Sequence, residues 1–556
     1  MAAFSRAFSL SPEEVRSATP PGTVILSARS LQRARQATAQ SDELVYTPQP
    51  SSDPADPLNW PNWRKIAVLI CMSLYAAIAN FTSASIASAF PIYATPLAFN
   101  PPVSIGKLTH LIAVNVLMLG AANIWWVPLA NIFGRRPVIL GGILLLTLCS
   151  MWAGLAKSFG SLLAARVFMG IGGAPADTIA PNVVGEIFFT HERGRAMVMI
   201  QTLLLSNLKF FSNTSQGFYT VCICLGPIIG GISGGYIAGN QGLAWIHWVN
   251  VILSAVLLIA CLIIVPETRY MRDQTQVSSP NDKSAEVEIK GGTEVVEDMA
   301  AQAPGSHSTK YANPSSMWKL NKYQGDAWNT FLAPWKTFRL PGVWLVMFWY
   351  AGLVGGVVTV TTVAPTIISE PPYLWGNNAG LIMIGGIIGA LLGLIATSLA
   401  ADRVITTKKM LRGEVFAEPE ARLPVAIPGL LLATTGLWTF GFCAQNPGPP
   451  HMWVGMQFGI GMLCFGLMQA PSIGFNYLID AYGPLSADCF VAVTCMRAII
   501  SFSWTFFAGE WVMSSGPAIP FGVFGALMGA FSLLIVPVWL WGKRMRIATA
   551  GWVPVL

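Results

Sequence analysis

An all-α membrane protein of twelve helices, built as two bundles of six, is the fold class this sequence predicts. Three observations carry it: a composition that cannot make a soluble surface, apolar runs spaced six plus six around one long polar stretch, and basic residues gathered on one side of those runs. Of 556 residues, 53% are apolar and 11% are Asp, Glu, Lys or Arg. A soluble domain carries about 25% charged residues, so a soluble enzyme of this length would lack its charged skin. The mean hydropathy of +0.56 makes lipid the solvent for most of the chain, and the apolar fraction rules out disorder throughout. The net charge of +7 is therefore read first as topology and only then as nucleic-acid binding.

The first element, residues 1–64, is polar and rich in Ser, Pro, Ala and Arg. It has no apolar core of the length a signal peptide needs and predicts a disordered cytoplasmic tail. A membrane helix takes about 20 mostly apolar residues. Such runs fall near 66–90, 108–130, 138–156, 161–188, 196–238 (interrupted) and 244–265, then near 342–367, 376–400, 424–444, 453–479, 487–512 and 520–541. The predicted organisation is a tail (1–64), a six-helix bundle (65–266), a cytoplasmic linker without a folded pattern (267–340), a second six-helix bundle (341–543) and a cytoplasmic tail (544–556). With the N-terminus inside, 28 of the 33 Lys and Arg fall on the inner side, and only Lys107 and Lys157 on the outer. Arg166, Lys209 and Arg497 remain within apolar stretches. The positive-inside rule then puts both termini and the linker in the cytoplasm.

The fifth run is broken by Ser206, Asn207, Lys209, Ser212, Asn213, Thr214, Ser215, Gln216 and Gly217. Removing Leu203–Gly217 would leave one helix of ordinary length. A polar break at membrane depth is tolerated only where it lines water or is buried in protein. Three readings stand: a functional broken helix, a cytoplasmic excursion before a later helix start, and a retained intron. On any of them, 203–217 is expected to lie outside the transmembrane helix.

Three segments carry motifs. After the second run comes Gly134-Arg135-Arg136-Pro137, a turn with two arginines at the inner face. The fourth run holds Arg166-Val-Phe-Met-Gly170-Ile-Gly172-Gly173-Ala174. An arginine in lipid is costly and should face the bundle interior, while the glycines allow close helix contact. A phosphate-binding reading of these glycines fails for want of a preceding strand. The fifth run holds Gly226-Pro227-Ile-Ile-Gly230-Gly231. There the proline kinks the helix and the glycines flatten a face, for close packing or for a seal between halves. All nine cysteines lie in apolar runs and read as packing residues. The five histidines show no ligand spacing, and no nucleophile–base pair is visible, so no cofactor, metal site or enzymatic activity is expected.

On these motifs and the six-plus-six layout, the chain from about Asp56 to Lys543 resembles the major facilitator superfamily, in particular its fungal twelve-span drug:proton antiporters. Weaker matches are His191-Glu-Arg-Gly-Arg195, Val265-Pro-Glu-Thr268, Glu418-Pro-Glu-Ala-Arg-Leu423 and Tyr477-Leu-Ile-Asp-Ala-Tyr482. The resemblance implies the major facilitator fold and a role for Arg166 in proton coupling. It also exposes a departure: Asn131 and Ile132 stand where the family has an acid and a base, which puts a gating ion pair built on that acid in doubt.

Polar residues within the runs are functional candidates because desolvating a charge costs several kcal/mol. Asn80, Arg166, Asp177, Tyr477, Asp480 and Arg497 are the candidate substrate or proton residues. Gly134, Arg135, Arg136, Gly170, Gly226, Pro227, Gly230 and Gly231 are the candidate gating positions. Asp177 follows Arg166 by eleven residues, about three turns, so the two are expected to line one cavity. Asp177 either binds a proton or a cationic substrate, or belongs to an internal structural pair. Glu186 and Asp480 sit near inner helix ends, as gate hydrogen bonds or as solvated ends. Arg497 needs a partner across the bundle, for which Asp480 is a candidate, and Glu510 should be wet.

The expected function is proton-coupled transport, as export, of a small organic molecule, by rocking of two halves around a midplane site. Import of a nutrient or of an organic cation such as a polyamine is the alternative within transport, and a transporter-like receptor the alternative outside it. The expected partners are the substrate, protons and the lipid bilayer of the plasma membrane. No nucleic acid is expected, and the protein is read as a monomer.

Overall fold

The computed structural model describes residues 9, 11, 14–15, 24–25, 56–96, 98–187, 215–268, 327–397, 416–417, 419–446, 451–482 and 485–550. Within them lie twelve helices long and apolar enough to cross a membrane. Spans 1 to 6 are Trp63–Tyr93, Ile105–Phe133, Arg135–Leu155, Phe159–Val184, Cys222–Gln241 and Leu243–Ile264. Spans 7 to 12 are Pro341–Ser369, Gly376–Thr397, Pro419–Gln445, Met452–Ile479, Asp488–Ser515 and Ala518–Thr549. The two halves hold separate apolar cores. Two spans cross-pack: Cys224 and Ile228 of span 5 join the core of the second half, and Val491 and Cys495 of span 11 join that of the first.

Several spans are broken where sequence makes a continuous helix costly. Span 1 is helical over Asn62–Ala84, then tightens to a 3-10 turn at Ala87–Ala89 before Phe90–Tyr93. Span 4 divides into Phe159–Gly173 and Pro175–Ile187, because Pro175 offers no amide to continue the ladder. Span 10 loosens into a π segment, Ala470–Phe475, beside Pro471. Between the halves, Ala327–Lys336 is helical, which corrects the expectation of a linker without folded pattern. Trp328, Leu332 and Trp335 are spaced along one face and are exposed, the pattern of a helix lying in a membrane interface.

Of the interrupted stretch 203–217, residues 203–214 lie outside the described residues. Ser215–Gly217 open the helix Ser215–Gln241 and precede its membrane-spanning part, Cys222–Gln241. The only strands among the described residues are Val24–Ile25 and Phe416–Ala417, paired antiparallel.

The two ends of the bundle are named below by residues they carry. The Arg135 end holds the starts of the odd-numbered spans, and the Glu510 end holds their finishes.

Candidate functional site

The polar centre of the molecule is an ion pair between its halves. Asp177 stands two residues after Pro175, in the first turn of the second segment of span 4. Across the interface, the Arg497 guanidinium of span 11 donates to Asp177 Oδ2. Only 4% of the Asp177 side chain and 3% of the Arg497 side chain are exposed. A buried pair of this kind holds only while both charges are present, since an isolated charge would face several kcal/mol of desolvation. The Arg497 guanidinium also sits over the Tyr350 ring, 5.3 Å from its centroid, a cation–π contact from span 7. Asp177 Oδ1 is buried and has no hydrogen-bond partner among the described residues.

These groups line a cavity of about 60 Å³ between the halves. Asn80 and Ser83 of span 1, Pro227 of span 5, and Thr361 and Thr494 supply its other polar or kinked positions. An aromatic wall runs from Tyr350 to Phe475 (centroids 5.4 Å) and on to Phe490 (4.8 Å). Asn80 steadies itself by donating to Ala76 O at 3.0 Å. The cavity thus combines one acid, one base and a flat apolar wall, a combination suited to an organic molecule with a charged or hydrogen-bonding head.

Two expected site residues lie elsewhere. Arg166 does not line this cavity. It is fully buried inside the first half and donates to Leu111 O (3.2 Å), Thr82 O (2.6 Å) and Ser83 O. Thr82 and Ser83 end the long helix of span 1, where carbonyls lose their intrahelical partners. A guanidinium there meets both the orphan acceptors and the negative end of the helix dipole. The break at Ala174–Pro175 explains the wrong expectation, because a face counted at 100° per residue does not carry across it. Tyr477 is also away from the cavity, buried against Gly342. The acid described beside Arg497 is Asp177; the side chain of Asp480, offered as its partner, lies outside the described residues.

The glycine motifs serve close packing. A Cβ on Gly170 would lie 2.5 Å from Asn115 O of span 2. On Gly226 or Gly230 it would lie 2.5 or 2.6 Å from carbonyl oxygens of span 1. Span 5 also seals against the other half, where a Cβ on Gly380 of span 8 would lie 2.5 Å from Gly231 O. Tyr236 of the same span donates to Asn378 at 2.7 Å.

At the Arg135 end the first half closes on a bracket. Gly134 takes φ +108° with Glu267 packed against it, a position that a side chain would strain. Glu267 accepts from the backbone amides of Arg135 (2.9 Å) and Arg136 (3.1 Å). Arg135 donates through Nε (3.2 Å) and Nη2 (3.0 Å) to Glu186, and through Nη1 to Asn131 at 2.7 Å. Thr268 donates to the other oxygen of Glu186 at 2.8 Å. Glu186 is thus hydrogen-bonded on both oxygens rather than a merely solvated end, and it supplies the ion pair that Asn131 cannot. The second half holds a matching bracket, whose acid lies in the Glu418–Leu423 match while its base was not singled out: Arg546 of span 12 donates through Nε and Nη2 to the two oxygens of Glu420, both at 2.8 Å. The signal available was an acid opening span 9 and a base in the last turn of span 12, at the places where the first half carries Arg135 and Glu267.

The family model described as Major Facilitator Superfamily matches residues 72–206 and 211–487. The gap in that match falls inside the polar interruption of span 5. The MFS transporter cpaT of Aspergillus oryzae is 28% identical over 89% of this chain and 90% of its own length. The efflux pump FUB11 of Gibberella moniliformis is 27% identical over 81% of this chain and 68% of its own. Among solved structures, a D-xylose–proton symporter superposes with a TM-score of 0.55 at 13% identity, over 84% of this chain and 96% of its own; that likeness is one of fold.

Proposed function

The chain belongs to the major facilitator superfamily, and from that premise we propose that it exports a small organic molecule in exchange for protons, by alternating access. In this reading the Arg135 end faces the cytoplasm and the protein works in the plasma membrane. One observation carries the proposal: the Asp177–Arg497 pair joins span 4 of one half to span 11 of the other inside the central cavity. In this reading the rocking of the halves strains the contact between span 4 and span 11. Protonating Asp177 removes the charge that holds Arg497, so proton uptake and parting of the halves become one event. The efflux relative supports the direction.

Uptake of an organic cation is the second reading. It is favoured by Asp177 Oδ1, a buried acceptor on the cavity with no partner among the described residues.

The test is accumulation of labelled drugs and metabolites in cells with and without the protein, followed by Asp177→Asn. Export is expected to lower accumulation, and Asp177→Asn to abolish the response to a pH gradient in protein that still reaches its membrane. Counterflow exchange should survive that substitution if the carboxylate handles protons alone, and fail if it binds a cation. Normal transport with unchanged pH dependence in Asp177→Asn would place the coupling site elsewhere.

A further inference from the structure

A second chamber, lined by spans 2, 7, 9 and 11, stands toward the Glu510 end. It has a volume of about 270 Å³, against about 60 Å³ for the central cavity. The central cavity uses Ile112 of span 2 and Thr361 of span 7; the chamber continues with Thr109 and Ile105 of span 2 and with Thr362, Thr366 and Glu370 along span 7. The two spaces thus lie at successive levels along spans 2, 7 and 11. Near this level span 2 and span 11 are held together by a parallel stack of His110 on Phe506, with centroids 4.0 Å apart.

The chamber wall carries hydrogen-bonding groups that the fold does not use. Thr366 is 5% exposed, and its Oγ1 has no partner among the described residues. A threonine in a helix ordinarily turns its hydroxyl back to a carbonyl of the preceding turn, as Thr362 does to Val358 O at 2.6 Å. Thr366 does not. Tyr373 follows span 7, and its hydroxyl is likewise buried without a partner among the described residues. Burial disfavours the phenolate and raises the Tyr373 pKa, so the group offers a donor as well as an acceptor. Gln445 lines the same wall, with its Oε1 taken by Ala518 N at 3.3 Å. Glu370 supplies the only charge among the lining residues.

We propose that this chamber is a second binding site, for a small organic ammonium whose head is held by Glu370 and the Thr366 and Tyr373 hydroxyls and whose apolar body lies along spans 2, 7 and 11. An acid without a base selects a cation, two hydroxyls accept its N–H groups, and the volume admits a ring the size of benzene. This goes beyond the transport reading, because it depends on none of the central residues.

The test is equilibrium binding of benzylammonium to the full chain in lipid nanodiscs. Thr366→Val combined with Tyr373→Phe keeps both shapes and removes no hydrogen bond among the described residues, so the melting temperature should not move. Binding is expected to weaken about tenfold in that double variant, the loss of two modest hydrogen bonds. Glu370→Gln should weaken it similarly, benzoate should not compete, and Asp177→Asn should leave this binding as it is. Unchanged benzylammonium affinity in the double variant overturns the inference, as does equal binding of benzoate or no binding to the wild-type chain. Loss of binding in Asp177→Asn with retention in the double variant also overturns it, while leaving the central site as the place where the cation binds.

Discussion

The two brackets at the Arg135 end occupy equivalent places in the two halves and are built with opposite polarity. In the first half the bases open span 3 and the acid, Glu267, follows span 6. In the second half the acid, Glu420, opens span 9 and the base, Arg546, closes span 12. Helix dipoles favour acids at starts and bases at ends. The second bracket satisfies both preferences, is joined by two hydrogen bonds of 2.8 Å and leaves its side chains 2% and 7% exposed. The first puts two arginines against a positive helix start and offsets them by laying Glu267 on the amides of that start. It spreads over spans 2, 3, 4 and 6, with 13% and 30% of Arg135 and Glu186 exposed. The difference separates two kinds of contact: dry, dipole-aligned pairs hold an element still, and wet, distributed ones can exchange with water.

The sharpest way to break this contrast is Glu420→Gln. It leaves the Arg546 guanidinium buried without its carboxylate and should cost about 3–5 kcal/mol, read as a lower unfolding midpoint and poor yield of detergent-purified protein. Exchanging the two, Glu420→Arg with Arg546→Glu, should recover only part of that loss, because both charges then oppose their helix dipoles. Full recovery would show that dipole alignment has no bearing on the second bracket.

Glu267→Gln comes next, with about 1.5–3 kcal/mol lost from two charge-assisted contacts to amides. The unfolding midpoint should fall less than in Glu420→Gln, while transport rate falls further than stability explains. Arg135→Lys should change stability by no more than about 1 kcal/mol, as for other half-wet pairs. It should still slow transport, because an ammonium lacks the fork that reaches Glu186 and Asn131 together. Raising salt should mimic this variant in the first bracket and leave the second unmoved; equal salt sensitivity of both would remove the distinction. The smallest effect is expected from Asn131→Asp, about 0.5 kcal/mol of added stability with slower opening, checked by melting and by transport rate.

Much of this architecture is written in the sequence because lipid imposes it locally. A run such as Leu243–Ile264 has no other use in water, and the positions of Lys and Arg follow from one asymmetric barrier. Asp177 and Arg497 stand out for the same reason, as charges where charge is costly. Their pairing does not, because it depends on how two halves dock, and no periodicity within span 4 or span 11 encodes that. Arg166 shows the second limit. Two of its three acceptors are backbone carbonyls where span 1 loses its regular helix after Ala84, the third is a carbonyl of span 2, and a carbonyl has no letter of its own. Glu420 and Arg546 lie at span ends, where a charge looks solvated until the opposite end of another span covers it.

The seam between span 5 and span 8 has a consequence for speed. There Gly231 and Gly235 meet Gly380 and the backbone of Asn377, so two main chains touch with few side chains interlocked. Surfaces meshed by large rotamers must unpick them before they can slip, and each adds to the barrier. Bare backbones can roll on one another with little friction, whereas a single methyl would act as a cog tooth. In the rocking proposed above, this seam serves as a bearing, and its smoothness is set by what the glycines lack.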